Sequence, residues 1–169
     1  YIPEGDDPAS HRDEVTARMG ELARRAADRG VVLMLENEKG IYGDHAGRVH
    51  DILSTVASPA LAHAFDPANY VEVGQPIGPA WDLLKPAVAH FHVKDYSEAL
   101  RRNVPAGEGD GEIPRLLPDA VASGYDGFVV LEPHLTVAEK SFGFTGPERF
   151  ADAADALKRI LDGASIPFA

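Results

Sequence analysis

The sequence predicts an α/β protein built on a parallel sheet. Three observations carry that prediction. Candidate strands and helices alternate along the chain, the pattern of βαβ units. The strands are short, continuous apolar runs, as expected where both faces are covered. Each run also ends on a polar side chain able to bind a cation. Four strands with five helices fit either a small open sheet or about half of a (β/α)8 barrel, whose usual length of ~250 residues exceeds the 169 present.

The first element is a helix over residues 10–29, with Val15, Met19, Leu22, Ala23 and Ala26 at helical spacing, Ser10 as the expected N-cap and Gly30 as the stop. VVLMLENE, residues 31–38, follows as a strand that ends in acid. A helix over 45–57, the strand LAHAF (61–65), a helix near 77–85 and the strand VAHFHV (88–93) repeat the alternation. The stretch PAGEGDGEIP forms a glycine-rich loop, expected to be a flexible lid. It leads to a helix at about 114–122, the strand GFVVLE (127–132) and a last helix at about 147–162. No repeat, low-complexity tract or linker divides the chain, so a single domain over 1–169 is expected.

Composition narrows the function classes. With 44% hydrophobic and 25% charged residues the chain has material for a packed core. It has no cysteine, so disulfides, thiolate metal sites and thiol nucleophiles are excluded, and any metal must bind nitrogen and oxygen. A net charge of -11 opposes a nucleic-acid partner, because affinity for a phosphate backbone rests on Lys and Arg displacing counterions. No apolar run of ~18 residues and no basic-then-apolar leader is visible, so no membrane partner is expected and a cytoplasmic location is. The chain begins at Tyr1 within a turn-like YIPEGDDP, and it is expected to be a piece of a longer protein.

Alternate side chains of a strand face opposite ways. Counting back by twos from each strand end gives four inner faces: Glu36, Met34, Val32; Asp66, Ala64, Ala62; His92, His90, Val88; and Glu132, Val130, Phe128. The opposite faces carry Leu35, Leu33, Phe65, Phe91, Val93, Leu131 and Val129, suited to packing under helices. Glu36, Asp66, His92 and Glu132 lie 30, 26 and 40 residues apart, about one βα unit each. Adjacent parallel strands would gather them at one mouth. Three carboxylates there would repel one another, and a divalent cation relieves the repulsion. Three oxygen donors and one imidazole suit Mn²⁺, Mg²⁺ or Co²⁺, with Zn²⁺ a further candidate. Taken singly, each carboxylate also reads as a helix cap or a solvated loop residue, and Asp66, just before Pro67, as the cap of a turn. Four such residues at the same end of four strands are harder to explain as accidents.

LENEKG, FDPANY, HFHVKD, the GEGDG loop and GYDGFVVLEPHL, in that order, resemble the sugar isomerase and epimerase branch of the xylose isomerase-like TIM barrels. The resemblance covers essentially the whole chain, and it implies a (β/α)8 TIM barrel of which this chain holds the C-terminal half, strands five to eight with helices four to eight. The N-terminal half is then a missing partner, on the same polypeptide or as a separate piece, and a homo-oligomer is also compatible. The resemblance maps the metal ligands onto Glu36, Asp66, His92 and Glu132. It makes Glu36 and Glu132 the groups that move a proton on either side of an enediolate held by the cation, in a sugar or related polyol. The related outcomes are loss of a β-hydroxyl, as in inosose dehydratases, and a sugar-binding or inactive relative without turnover. An endonuclease of the same superfamily uses three zinc ions and more histidines, against which the acidic charge counts.

One position departs from the epimerase pattern. Many epimerases of the group carry a substrate-binding histidine three residues after the second ligand, and here that residue is Asn69, which can hydrogen-bond but cannot relay a proton near neutral pH. Lys94 and Asp95 either bind substrate or pair with each other and with neighbours. His134 and Trp81 line the site or belong to loop and core. His90 is expected to support His92 from below, and His11, His45, His50 and His63 to be structural. Gly107, Gly109 and Gly111 do not match a phosphate-binding GxxxxGK[ST] loop.

Overall fold

A computed structural model of the protein describes residues 1–135 and 145–168. The expected domain over 1–169 therefore includes residues 136–144 and 169, which lie outside the described residues. Among the described residues the α-helices are α1 (Arg12–Ala27), α2 (Ala46–Val56), α3 (Pro67–Glu72), α4 (Ile77–Leu84), α5 (Ile113–Ala122) and α6 (Pro147–Gly163). A four-stranded parallel sheet joins β1 (Leu33–Glu36), β2 (Leu61–Phe65), β3 (Val88–Val93) and a last strand Phe128–Leu131 in sequence order. A small antiparallel hairpin, β4 (Asp95–Ser97) with β5 (Arg102–Val104), precedes that last strand, which is therefore β6.

The strands form on short runs of apolar residues, and their outward side chains make the core. Phe65, Phe91 and Val93 are fully buried or nearly so, with Trp81 of α4. The Phe65 and Phe91 rings stack at 5.9 Å, and Trp81 meets them edge-on at 5.1 and 6.0 Å. Trp81 therefore belongs to the core rather than to the strand-end site. Its indole N–H donates to Asp119 Oδ2 at 2.6 Å, which also takes the Lys85 ammonium at 3.0 Å, satisfying the one polar atom of a buried indole.

On the inward side the edge strands are open: Met34 and Val130, with Val32 just before β1, are exposed and Phe128 is 75% exposed, whereas Ala64 and Val88 on the central strands are buried. On the outer face of the edge strand β6, Val129 is also exposed, short of the expected burial; among the described residues that strand pairs with β3 on one side only.

Several local expectations shift. Ser10 does not cap α1: it sits in a one-turn helix, Pro8–His11, capped by Asp7, and its hydroxyl donates to the Asp7 carbonyl. The strand expected over 31–38 contracts to Leu33–Glu36. DPANYVE folds into α3, with Pro67 in the first turn and Asp66 as N-cap, the positions that favour both residues. His63 is structural as expected and fully buried. Its Nδ1 donates to the Leu35 carbonyl at 2.6 Å, which leaves Nε2 to accept from the Tyr70 hydroxyl at 3.4 Å. Burial holds its pKa down at about 4, against the opposing pull of the Leu35 carbonyl. Among the described residues no helix is long and apolar enough to cross a membrane.

Candidate metal centre

Strand register brings the polar strand ends level. Between His63 and Ala64 the pairing of β2 with β3 slips, so His63 faces Val88 but Ala64 faces His90. Without the slip the pairing would carry Asp66 to Phe91, on the wrong face. With it, Asp66 comes beside His92. β1 places Glu36 beside Ala64, and β6 follows His92 with Val130, so the longer glutamates reach inward from the two flanking strands.

Glu36, Asp66, His92 and Glu132 meet as expected. Each offers one ligand atom, and these atoms all lie within 4.8 Å of one another. His92 Nδ1 is the hub, 3.2 Å from Glu36 Oε1, 2.7 Å from Glu132 Oε2 and 3.8 Å from Asp66 Oδ2. Two of these oxygens bear on whether a cation fits. Among the described residues, Asp66 Oδ2 and Glu132 Oε2 are buried with no aligned hydrogen-bond donor, although Lys94 Nζ is 2.8 Å from the first and His92 2.7 Å from the second. Those contacts are attractive but off the hydrogen-bond direction. Buried carboxylate oxygens seldom lack a donor, and convergent, cysteine-free donors of this kind suit a hard divalent cation.

Nitrogen cations also face these oxygens. Burial opposes the charge on His92, but Asp66, Glu132 and Glu36 together outweigh it and raise its pKa to about 11. The same contact with His92, working against burial, holds Glu132 down at about 2. Lys94 is buried 2.8 Å from Asp66 Oδ2 and 3.9 Å from Glu132 Oε1. Burial disfavours its ammonium, yet Asp66 more than compensates and its pKa is raised.

Asp66 serves both readings considered for it. Oδ1 caps α3 by accepting from Asn69 N at 3.0 Å, while Oδ2 faces the cluster. Its backbone is clamped by Asn37, a residue the sequence reading passed over: Asn37 Nδ2 donates to the Asp66 carbonyl at 2.8 Å and Asn37 Oδ1 accepts from Asp66 N at 2.9 Å. Asn37 is fully buried. An asparagine placed directly after a strand-end carboxylate was the available signal. Asn69 Nδ2 donates to the Asn37 carbonyl at 2.8 Å and to Glu36 Oε1 at 3.4 Å. Its amide nitrogen thus links the Asn37 backbone to the Glu36 carboxylate.

The structure separates Asp95 from this group. Its carboxylate accepts backbone N–H bonds from Gly107, Gly109 and Gly111 at 2.8, 3.1 and 2.9 Å. A Cβ on Gly109 would lie 2.4 Å from Asp95 Oδ1, so only glycine allows this approach. The expected flexible lid is instead a loop wrapped around an internal carboxylate. Asp95 is buried with both oxygens bonded, and burial raises its pKa despite those bonds. His134 does reach the centre, with Nε2 3.0 Å from Glu132 Oε1 and its side chain 43% exposed. His90 sits below His92 on the same face, ring centroids 5.1 Å apart, as expected of a supporting residue. Burial, then His92, lowers its pKa.

A parallel α/β sheet with its polar side chains gathered at the carboxyl ends of the strands is the arrangement of (β/α)8 barrel proteins, whose sites lie at that end. The chain belongs to the xylose isomerase-like TIM barrel family, whose model matches residues 1–160. No curated protein sequence matches it. Among solved structures it is similar to a D-tagatose 3-epimerase-like protein (TM-score 0.74, 20% identity, 98% of this chain and 60% of that one). A xylose isomerase-like TIM barrel protein from Mycobacterium smegmatis, in complex with magnesium, is also similar (TM-score 0.72, 22% identity, 98% and 53%). So is the probable 3-DHS dehydratase of petrobactin synthesis from Bacillus anthracis (TM-score 0.68, 18% identity, 88% and 56%). The chain thus spans between half and two-thirds of the length of these relatives.

Proposed function

We propose that this chain is the cation-binding half of a xylose isomerase-like barrel, strands five to eight with helices four to eight, and that the whole barrel isomerises or epimerises a sugar or related polyol. The observation that carries the reading is the convergence of Glu36, Asp66, His92 and Glu132 within 4.8 Å. Two of their buried oxygens lack aligned donors. The four residues are the ligands, Mn²⁺ the expected occupant, and Mg²⁺, Co²⁺ and Zn²⁺ the alternatives.

A divalent cation there supplies Lewis acidity toward a carbonyl and the hydroxyl beside it, acidifying the C–H bond between them. Glu36 and Glu132 come from the two outermost strands of the sheet, so their carboxylates stand on opposite sides of the centre. One removes the proton from the substrate carbon and the other returns it, on the same or the neighbouring carbon. Asn69 holds Glu36 for this role. His134, beside Glu132 and half-exposed, is the residue placed to meet a substrate oxygen. The open inner face, with Phe128, Val130, Val32 and Met34, is where the remaining barrel strands close over this half.

Deuterium exchange tests the reading. The complete barrel, with Mn²⁺ and a panel of ketoses and inososes in D₂O, is expected to place solvent deuterium beside the carbonyl. Glu132→Gln should slow that exchange by about 100-fold or more. Absence of exchange across the panel sinks the proton-transfer mechanism, and loss of water from the substrate would assign the lyase outcome instead.

A further inference from the structure

We infer that Lys94 is a built-in counter-cation that sets the affinity and charge preference of the Glu36–Asp66–His92–Glu132 centre. The inference rests on the metal reading proposed above.

Lys94 lies two residues beyond His92 and therefore on the same inner face. It is an unusual occupant of such a position, since its side chain is almost wholly buried and buried lysines need a partner. Its ammonium takes two, both ligands of the centre: Asp66 Oδ2 at 2.8 Å and Glu132 Oε1 at 3.9 Å. Asp66 has no spare oxygen with which to satisfy the lysine separately. Oδ1 is used by the Asn69 N–H, so the oxygen that faces Lys94 is the one that faces the cluster.

Charge counting shows the consequence. Three carboxylates and a neutral ligating imidazole carry three negative charges, and Lys94 reduces the total to two. One divalent cation then leaves the centre neutral, whereas a trivalent cation overcharges it. Without the lysine the balance favours the trivalent ion. A fixed positive charge beside a shared ligand oxygen also repels any arriving cation, so removing it tightens binding, on the order of tenfold or more at the effective dielectric of a partly buried site. The same removal leaves a fully buried Asp66 without its ammonium, which destabilises the metal-free fold.

A lysine that merely props Asp66 in place would act in the opposite direction, because its loss would disorder a ligand and weaken binding. The two roles are separated by measuring the 169-residue chain and its Lys94→Met, Lys94→Gln and Lys94→Arg variants. Mn²⁺ binding is read by the paramagnetic resonance of free Mn²⁺, Tb³⁺ binding by luminescence, and melting with and without metal. In Lys94→Met and Lys94→Gln we expect Mn²⁺ to bind at least about tenfold tighter and Tb³⁺ to gain more than Mn²⁺, while the metal-free melting temperature falls. Lys94→Arg, which keeps the charge, should keep the wild-type ratio of the two affinities. Unchanged or weaker Mn²⁺ binding in the folded neutral variants overturns the inference and leaves the metal reading intact. If neither neutral variant folds, an Arg variant whose Tb³⁺ to Mn²⁺ ratio moves from the wild-type value overturns it. Wild-type chain that takes up no Mn²⁺ sinks the metal reading itself, and this inference with it.

Discussion

The two faces of one sheet are built from alternate residues of the same strands, yet they do different work. Outward, Phe65, Phe91 and Val93 are buried and interlock with Trp81. Inward, Met34, Val130 and Phe128 are open, and above them the strand ends carry Glu36, Asp66, His92 and Glu132. Stability is therefore concentrated on the helix-covered side and chemistry on the uncovered one. The second face tolerates a rim of charge because the main hydrophobic burial among the described residues lies on the other side of the sheet.

The largest effect should come from emptying the outer face. Phe91→Ala removes a fully buried ring between Phe65 and Trp81 and is expected to cost about 3–5 kcal/mol in urea unfolding. A loss below 1 kcal/mol would mean that the stacked core is not the main source of stability.

A smaller effect follows from pH. His63 lies on the outer face, with its pKa lowered by burial to about 4 from an ordinary value of 6.5. The unfolded chain binds this proton below pH 6.5 and the folded chain does not until about pH 4. Stability must therefore fall as pH drops through that window, by up to about 3 kcal/mol from this group. Unfolding measured at pH 7 and pH 4.5 should show the loss. His63→Asn should flatten it, and an unaltered slope in that variant would remove His63 as the cause.

The smallest effect belongs to the inner face. Phe128→Ser, at a position 75% exposed, should change the stability of the 169-residue chain by no more than about 0.5 kcal/mol. A loss of 2 kcal/mol or more would show that this face is already buried against something in solution, and the contrast between the faces would fail.

Much of this contrast was legible in the sequence. LAHAF and VAHFHV were bounded as the structure has them, because continuous apolar runs with abrupt polar ends fit only a narrow range of strand positions. The four clustered strand-end residues followed from period-two counting. What escaped was shorter or out of phase. α3 has six residues and begins with Asp-Pro, a pair that equally well opens a turn. The three-residue strands of the β4–β5 hairpin are too short to show a period. Asn37 falls one residue past the strand end in the outward phase, and its bonds go to the Asp66 backbone, which no residue pattern records. The roles of Lys94 and Asp95 diverged for a similar reason. Adjacent residues at a strand end face opposite ways, and only the fold revealed a carboxylate cluster on one side and three glycine N–H groups on the other.

The central claim is that these four strand ends make one divalent cation site, and titration of the chain with Mn²⁺ followed by paramagnetic resonance tests it most directly. The account predicts one Mn²⁺ per chain, and loss of that binding when Asp66→Asn and Glu132→Gln are combined. Stoichiometric metal retained by the folded double variant would contradict it.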